Sequence, residues 1–454
     1  MNHEIRKVPG GVTAAKGFAA AAAAAGIKYK GRTDMALVYS TVPCEAAGTF
    51  TSNVVKAAPV LWDRTIVRER KEKVQAIVVN SGIANACTGK EGMDVCTRTA
   101  QAAAKALGIP AQSVLIGSTG VIGMQIPMDR IEAGIEKLAA AKAETLEAGE
   151  AASRAIMTTD TVNKQSAAVF NLRAAAVGID PETAGAREES GLHGVNRGAA
   201  MGVGSTEKAA SGTDTVTVTI GGMAKGSGMI HPGMCTMLAY VTTDAAIAKS
   251  LLQKAVSEVV EDTFNMISVD GDMSTNDTLL VLANGLAGNE PITSEDSGDY
   301  MLFKAALRSV CQDLAMQMAG DGEGATKLIE SRVIHMDTEE NAKILAKSVI
   351  QSSLTKAAVF GRDANWGRVL CALGYAGVSF DPEKVDLWFE ADGKRMLIFT
   401  DGSAADYSEE EASALLGSEK VIILSDMHMG EAQAVAWGCD LTYDYVRINA
   451  DYRS

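Results

Sequence analysis

From Lys225 the chain reads Lys-Gly-Ser-Gly-Met-Ile-His-Pro-Gly-Met-Cys-Thr-Met-Leu. This glycine-rich approach runs directly into the Cys235–Thr236 bond, and an apolar, strand-like run begins at Thr236. Two readings fit. In one, Gly226, Gly228 and Gly233 punctuate a turn before a buried strand. In the other, the chain cuts itself ahead of Thr236. The new N-terminal threonine then carries a hydroxyl nucleophile and, on the same residue, an α-amine to serve as its base. A hydroxyl is a weak nucleophile near neutral pH and needs such a base close by. An N-terminal threonine supplies one without a histidine.

With 454 residues the chain is too long for one ordinary core, and two or three domain-sized units are expected. Hydrophobic residues make up 47% and charged residues 22%, the balance of a globular protein with ample core material. Aromatics are only 5%, so the core is built largely from small side chains that let elements approach closely. A net charge of −14 speaks against a nucleic-acid partner. The densest basic stretch, Arg68 to Lys73, is interleaved with Glu69 and Glu72 and reads as a solvated helix face. No apolar run is long enough to span a membrane. The seven cysteines (Cys44, Cys87, Cys96, Cys235, Cys311, Cys371, Cys439) are widely spaced and form no CxxC pair. They fit reduced thiols in a cytoplasmic protein. No His/Cys cluster has zinc-ligand spacing, and five scattered histidines speak against a His-rich metal site, so no metal is expected.

Strands are predicted at Met35–Ser40, Val74–Asn80, Val114–Ile116, Thr213–Ile220, Thr236–Thr243, Thr278–Ala283, Val333–His335, Ala357–Phe360, Val385–Phe389, Met396–Phe399, Lys420–Leu424 and Tyr443–Asn449. Helices are predicted at Thr97–Leu107, Met128–Ala148 (stopped by Gly149), Asp244–Glu261 (capped by Asp244), Asp299–Met318, Glu339–Ser352 and Gly430–Trp437. The alanine run Ala19–Ala25 reads as a helix or a small-residue packing surface. Residues 171–212, rich in Gly, Ala, Glu and Ser, lack an apolar period and read as a surface insertion. Strands and helices mix throughout, which makes the fold class α/β or α+β.

Four polar constellations stand out. Ser118-Thr119-Gly120 reads as a tight turn after an apolar strand, either a plain turn or a place where backbone N–H groups and a hydroxyl hold an oxyanion. Asp321-Gly-Glu323-Gly-Ala-Thr-Lys327 is not a Walker loop; it is either a solvated turn or a carboxylate that orients an amine. Asp270, Asp272 and Asp277 do not fit an EF-hand and read as a turn. Within Gly361–Arg368, Asp363 is a candidate cap, and Arg362 and Arg368 are candidates for binding a substrate carboxylate.

Taken together and in order, these motifs resemble the ornithine acetyltransferase family, the glutamate N-acetyltransferases of the cyclic arginine pathway. Ser-Thr-Gly-Val-Ile-Gly (118–123), Met-Thr-Thr-Asp-Thr (157–161), the stretch 225–236, Val-Asp-Gly-Asp-Met-Ser-Thr-Asn-Asp-Thr (269–278), Asp-Gly-Glu-Gly-Ala-Thr-Lys (321–327) and Tyr-Val-Arg-Ile-Asn-Ala-Asp-Tyr-Arg-Ser (445–454) carry the resemblance over nearly the whole chain. It implies self-cleavage into an α chain, residues 1–235 ending at Cys235, and a β chain, residues 236–454 starting at Thr236. It implies an αββα-type sandwich built from the two chains, and an α2β2 heterotetramer. Thr236 would take the acetyl group of N-acetylornithine and pass it to glutamate. Thr119 and Gly120 would form the oxyanion hole. Thr158, Lys225, Thr236, Glu323, Asn449 and Ser454 would contact substrate. No cofactor is implied, although acetyl-CoA can be a co-substrate. The sequence departs from the family in the long link at 171–212 and in ending on Ser454, where threonine is also common. A self-cleaving threonine amidohydrolase or aminopeptidase would share the nucleophile but hand the acyl group to water. A non-catalytic scaffold would remain one uncut chain.

Overall fold

The computed structural model describes residues 4–69, 72–175, 214–231 and 237–450. Among these, the strands form two sheets. The larger has nine strands in the spatial order Arg6–Val8, Lys164–Arg173, Thr215–Lys225, Leu238–Thr243, Thr278–Ala283, Met35–Phe50, Val74–Ile83 and Val114–Val121, with Phe18–Ala23 added beside Met35–Phe50. The smaller has seven, ordered Ser403–Ala404, Lys394–Thr400, Asp386–Ala391, Lys420–Asp426, Leu328–Met336, Ala432–Cys439 and Ile267–Ser268.

The strand Leu238–Thr243 begins two residues after Thr236 and is buried along its whole length. It pairs antiparallel with Thr215–Lys225 on one side and parallel with Thr278–Ala283 on the other. Successive side chains on a strand point to opposite faces, so Ala239 and Val241 enter one apolar cluster while Leu238 and Tyr240 enter another. A strand covered on both faces reads as a continuous apolar run, as this one does. On the first face, the helices Lys249–Glu261 and Gly298–Gly320 bury Leu252, Val256, Phe303, Leu307 and Leu314. That cluster continues without a break to Ile329, Val333 and Trp437 of the seven-stranded sheet. Gly89–Leu107 and Met128–Ala141 cover the far end of the nine-stranded sheet, through Ala100, Ile131 and Leu138 against Met35, Leu37 and Ile116. The fold class is thus mixed α/β in layers, as expected.

Several local expectations are corrected. Ser118–Gly120 is not a turn; the strand Val114–Val121 runs through it, paired in parallel with Val74–Ile83. The alanine run is a strand over Phe18–Ala23, because small side chains suit a site buried between neighbouring elements. The predicted helix Met128–Ala148 is two, ending at Ala141 and restarting at Leu146, where the Thr145 side chain accepts from Ala148 N–H. Gly149 does not stop a helix but lies inside the second one, where a Cβ would come within 2.4 Å of Thr13 Oγ1. Asp244 caps no helix; its carboxylate accepts from the N–H groups of Thr219 and Lys16, and the helix begins at Lys249. Ala357–Phe360 belongs to the helix Ser353–Phe360, capped by Ser352. Gly430–Trp437 lies mostly in the strand Ala432–Cys439, where pairing with Leu328–Met336 overrides the helix propensity of its alanines. Tyr443–Asn449 is helical instead, over Tyr443–Ala450, with Asp444 and Arg447 paired one turn apart. The helix after Gly361 is capped by Asn365, not Asp363. Of the expected insertion 171–212, Asn171–Arg173 finishes a strand and 176–213 lies outside the described residues.

Candidate active site

Strand ends and polar segments from distant parts of the chain meet at one cavity of about 350 Å³. Thr119, Gly120, Thr158, Lys225, Glu323 and Asn449 all line it. These are all the substrate-contacting and oxyanion residues implied by the family resemblance that fall among the described ones. Cys235, Thr236 and Ser454 lie outside the described residues. Met237 and Leu238, just after Thr236 in sequence, and Met229 and Ile230, a few residues before it, line the same cavity.

Gly120 is held by its neighbours. Its φ of +128° favours glycine, and a Cβ there would lie 2.3 Å from the Gly82 carbonyl carbon. The pairing register shifts at Gly82 and Ile83, where Ile83 stands opposite both Thr119 and Val121. Behind this end, the Asn276 side-chain amide donates to the carbonyls of Ser118 (2.7 Å) and Ala84 (2.6 Å). The Ser118 hydroxyl in turn donates to Asn80 (2.6 Å). Three buried polar side chains thereby fix the strand end that carries Thr119.

The opposite wall is organised by Asp160. Its carboxylate accepts from the N–H groups of Thr158 (3.0 Å) and Gly226 (2.7 Å), and from Lys164 Nζ (2.7 Å). Lys225 Nζ lies 3.9 Å away. Lys164 is completely buried and is also bonded to Asp321 at 2.5 Å. Burial alone would raise the Asp160 carboxyl, but the Lys225 and Lys164 ammoniums and these hydrogen bonds outweigh it and hold it at about 2. Burial pushes the Lys225 ammonium down, against the opposing pull of Asp160 and, more weakly, of Glu323 and Asp277. Arg32 adds a further hold on this wall, donating to the carbonyls of Met157 (2.7 Å) and Thr158 (3.1 Å).

Glu323 closes a third side. Its carboxylate accepts from the Asn449 side-chain amide (2.7 Å), and its N–H donates to Ser227 (2.9 Å). A Cβ on Gly228 would come within 2.4 Å of that carboxylate, so a glycine at 228 makes the room Glu323 occupies. Asp270 accepts from the N–H groups of Met229 (2.6 Å) and Ile230 (2.9 Å), gripping the segment that leads to Thr236. Tyr445 also donates to it (3.3 Å).

Sequence reasoning read the block 270–277 as a turn and missed that Asp270 and Asn276 fasten two walls of the cavity. Asp160 and Lys164 were likewise not singled out. The signal in each case was a polar residue next to a glycine-rich or strand-end segment with no local use for it. Arg362 and Arg368 do not line the cavity; Arg368 donates to the Leu354 carbonyl (3.0 Å) instead.

The chain matches the model of the ArgJ family over residues 19–187 and 197–454. It is similar to the arginine biosynthesis bifunctional protein ArgJ of Symbiobacterium thermophilum, at 48% identity over 98% of this chain and 99% of that one. It is also similar to the protein of the same name from Thermotoga neapolitana, at 43% identity over 97% of this chain and 99% of that one. Among solved structures, the ornithine acetyltransferase of Mycobacterium tuberculosis complexed with ornithine aligns at 36% identity, over 52% of this chain and all of that one, with a TM-score of 0.38.

Replacing Asp160 by Asn leaves Lys164 and Lys225 buried without their shared counter-charge. The expected loss is about 3 to 5 kcal/mol of unfolding free energy in a denaturant titration. A depressed carboxyl stabilises the folded state fully above its ordinary value of about 4, and that stability drains away as pH falls through about 2. The Asn variant should lack this part of the acid dependence.

Proposed function

The chain belongs to the ArgJ family, and on that premise we propose that it carries an acetyl group on Thr236. It is a glutamate N-acetyltransferase of arginine biosynthesis that moves the acetyl group of N-acetylornithine to glutamate. In our reading, the Cys235–Thr236 bond is cut first by the chain itself. The α-amine freed at Thr236 takes the proton from Thr236 Oγ as that oxygen attacks the acetyl carbonyl. Thr119 and Gly120 receive the developing oxyanion. Collapse of the tetrahedral species breaks the C–N bond, and the proton passes to the departing amine of ornithine. The amine of glutamate then attacks acetyl-Thr236, and the same steps run in reverse order to release N-acetylglutamate. One oxyanion site serves both halves because both pass through the same geometry.

Lys225 suits the α-carboxylate that ornithine and glutamate share. Thr158 stands beside it, and Glu323, steadied by Asn449, orients the amine. Ser454 joins these contacts in our reading. The observation that carries the proposal is the convergence of Thr119, Gly120, Thr158, Lys225, Glu323 and Asn449 on the cavity that Met237 also lines. The base is part of the nucleophile's own residue, so the reaction calls for no cofactor, with acetyl-CoA as a second acetyl donor.

The interleaved sheet supports a two-chain product. Leu238–Thr243 and Thr278–Ala283 would belong to the β chain, 236–454, yet they lie between Thr215–Lys225 and Met35–Phe50 of the α chain, 1–235. Cleavage would cut no sheet pairing, and the halves would stay together as one αββα-type sandwich. We take the assembled form as an α2β2 heterotetramer in the cytoplasm. The free thiols of the six described cysteines fit such a reducing setting.

Thr236→Ala should remain a single uncut band on a denaturing gel and show no transfer; normal processing of that variant would refute the assignment. Thr119→Ala should fold and be cut but lose about 100-fold in kcat, and unchanged kinetics would remove Thr119 from the oxyanion role. Glutamate should be acetylated with N-acetylornithine and, separately, with acetyl-CoA. Release of free acetate in place of N-acetylglutamate would mark the enzyme as an amidohydrolase.

A further inference from the structure

We propose that the seven-stranded sheet carries a binding site for one borderline-soft divalent metal ion, such as Zn²⁺, formed by His335, Asp426 and His428. Two of the scattered histidines, read in the sequence as unable to form a metal site, are brought together here. Leu328–Met336 and Lys420–Asp426 run parallel, and their C-terminal ends lie side by side, with Ile334 opposite Asp426. Between Val333 and Met336 the pairing with Ala432–Cys439 slips, which places His335 at an irregular point of the strand. Asp426 is the last residue of its strand, and His428 follows in the turn. None of the three lines the acetyl-transfer cavity.

One ligand atom from each residue lies within 4.8 Å of the other two. His335 Nδ1 is 2.8 Å from Asp426 Oδ2, and His428 Nδ1 is 3.5 Å from Asp426 Oδ1. In a tetrahedral zinc site, bonds of about 2.0 to 2.2 Å put neighbouring ligand atoms about 3.3 Å apart, so small rotations of the two half-exposed imidazoles against the buried Asp426 carboxylate would admit the ion. The two imidazoles already face one another at a tilt of 29°.

The outer contacts are those a metal-binding histidine uses. His428 Nε2 lies 2.8 Å from the Asp386 carboxylate, and Asp386 itself accepts from the Thr400 hydroxyl (2.6 Å). A carboxylate behind the far nitrogen fixes the tautomer and raises the basicity of the near one. His428 Nδ1 and Asp426 Oδ1 lie on the same side of the cluster as His335 Nδ1, so the three ligand atoms converge on one point. Asp386 and Asp426 are cross-strand neighbours, so a divalent ion would also offset two negative charges. Two imidazoles favour zinc, nickel or cobalt over magnesium or calcium. Three protein ligands leave a fourth position for water, and the ion would tie together the C-terminal ends of two parallel strands.

The test is calorimetric titration of the full-length protein with Zn²⁺, using a background in which the exposed Cys87 and Cys371 are replaced by Ser. One saturable site per chain is expected, lost in His335→Gln and in His428→Gln. Asp386→Asn should weaken it by about 10- to 100-fold. Zn²⁺ should raise the melting temperature of the parent but not of the histidine variants. His335 and His428 are about half exposed, so their variants should fold, and acetyl transfer measured without added metal reports that they have. No saturable binding in the parent, or equal binding in the histidine variants, would overturn the proposal.

Discussion

A single buried carboxylate, Asp160, holds the charged wall of this site in order. Asp160 gathers two backbone N–H groups, from Thr158 and Gly226, and two ammonium groups, from Lys164 and Lys225. These partners come from separate strands and loops, so the carboxylate fixes where they meet. Fully buried Lys164, tied also to Asp321, keeps the cluster charge-balanced without reaching solvent. Such a cluster is costly to bury unless every partner is present. In return it sets Lys225 at the cavity wall and anchors the start of the glycine-rich segment that leads to Thr236.

The facing wall relies on backbone instead of charge. Gly120 approaches Gly82 more closely than any side chain would allow, and Asn276 reaches across to hold the carbonyls on either side. One wall thus offers positive charge and the other a fixed strand end. That division suits a substrate with a carboxylate at one end and a reacting carbonyl at the other. Asp270 grips the segment before Thr236 by taking the N–H groups of Met229 and Ile230.

Much of this was legible in the sequence, and the failures have physical causes. Strands with strong apolar runs, such as Val74–Ile83 and Thr278–Ala283, were found, and the motifs named six residues that share the cavity. Small-residue segments were misread. Phe18–Ala23 and Ala432–Cys439 look helical by propensity and are strands by burial, because tertiary pairing outweighs a few tenths of a kcal/mol per alanine. Tyr443–Ala450 erred the other way: its alternating apolar residues suggested a strand, and it is an exposed helix. Asp160, Lys164 and Asn276 were not singled out because their roles depend on partners far along the chain. The pairing of His335 with His428 was hidden for the same reason.

The claim that matters most is that the hydroxyl of Thr236 carries the acetyl group. The direct measurement is peptide mass spectrometry of the enzyme after brief exposure to N-acetylornithine with glutamate withheld. The account predicts a β-chain N-terminal peptide heavier by one acetyl group on the threonine oxygen, which reverts when glutamate is added. Steady turnover with that peptide unmodified, or with the acetyl group on another residue, would contradict it.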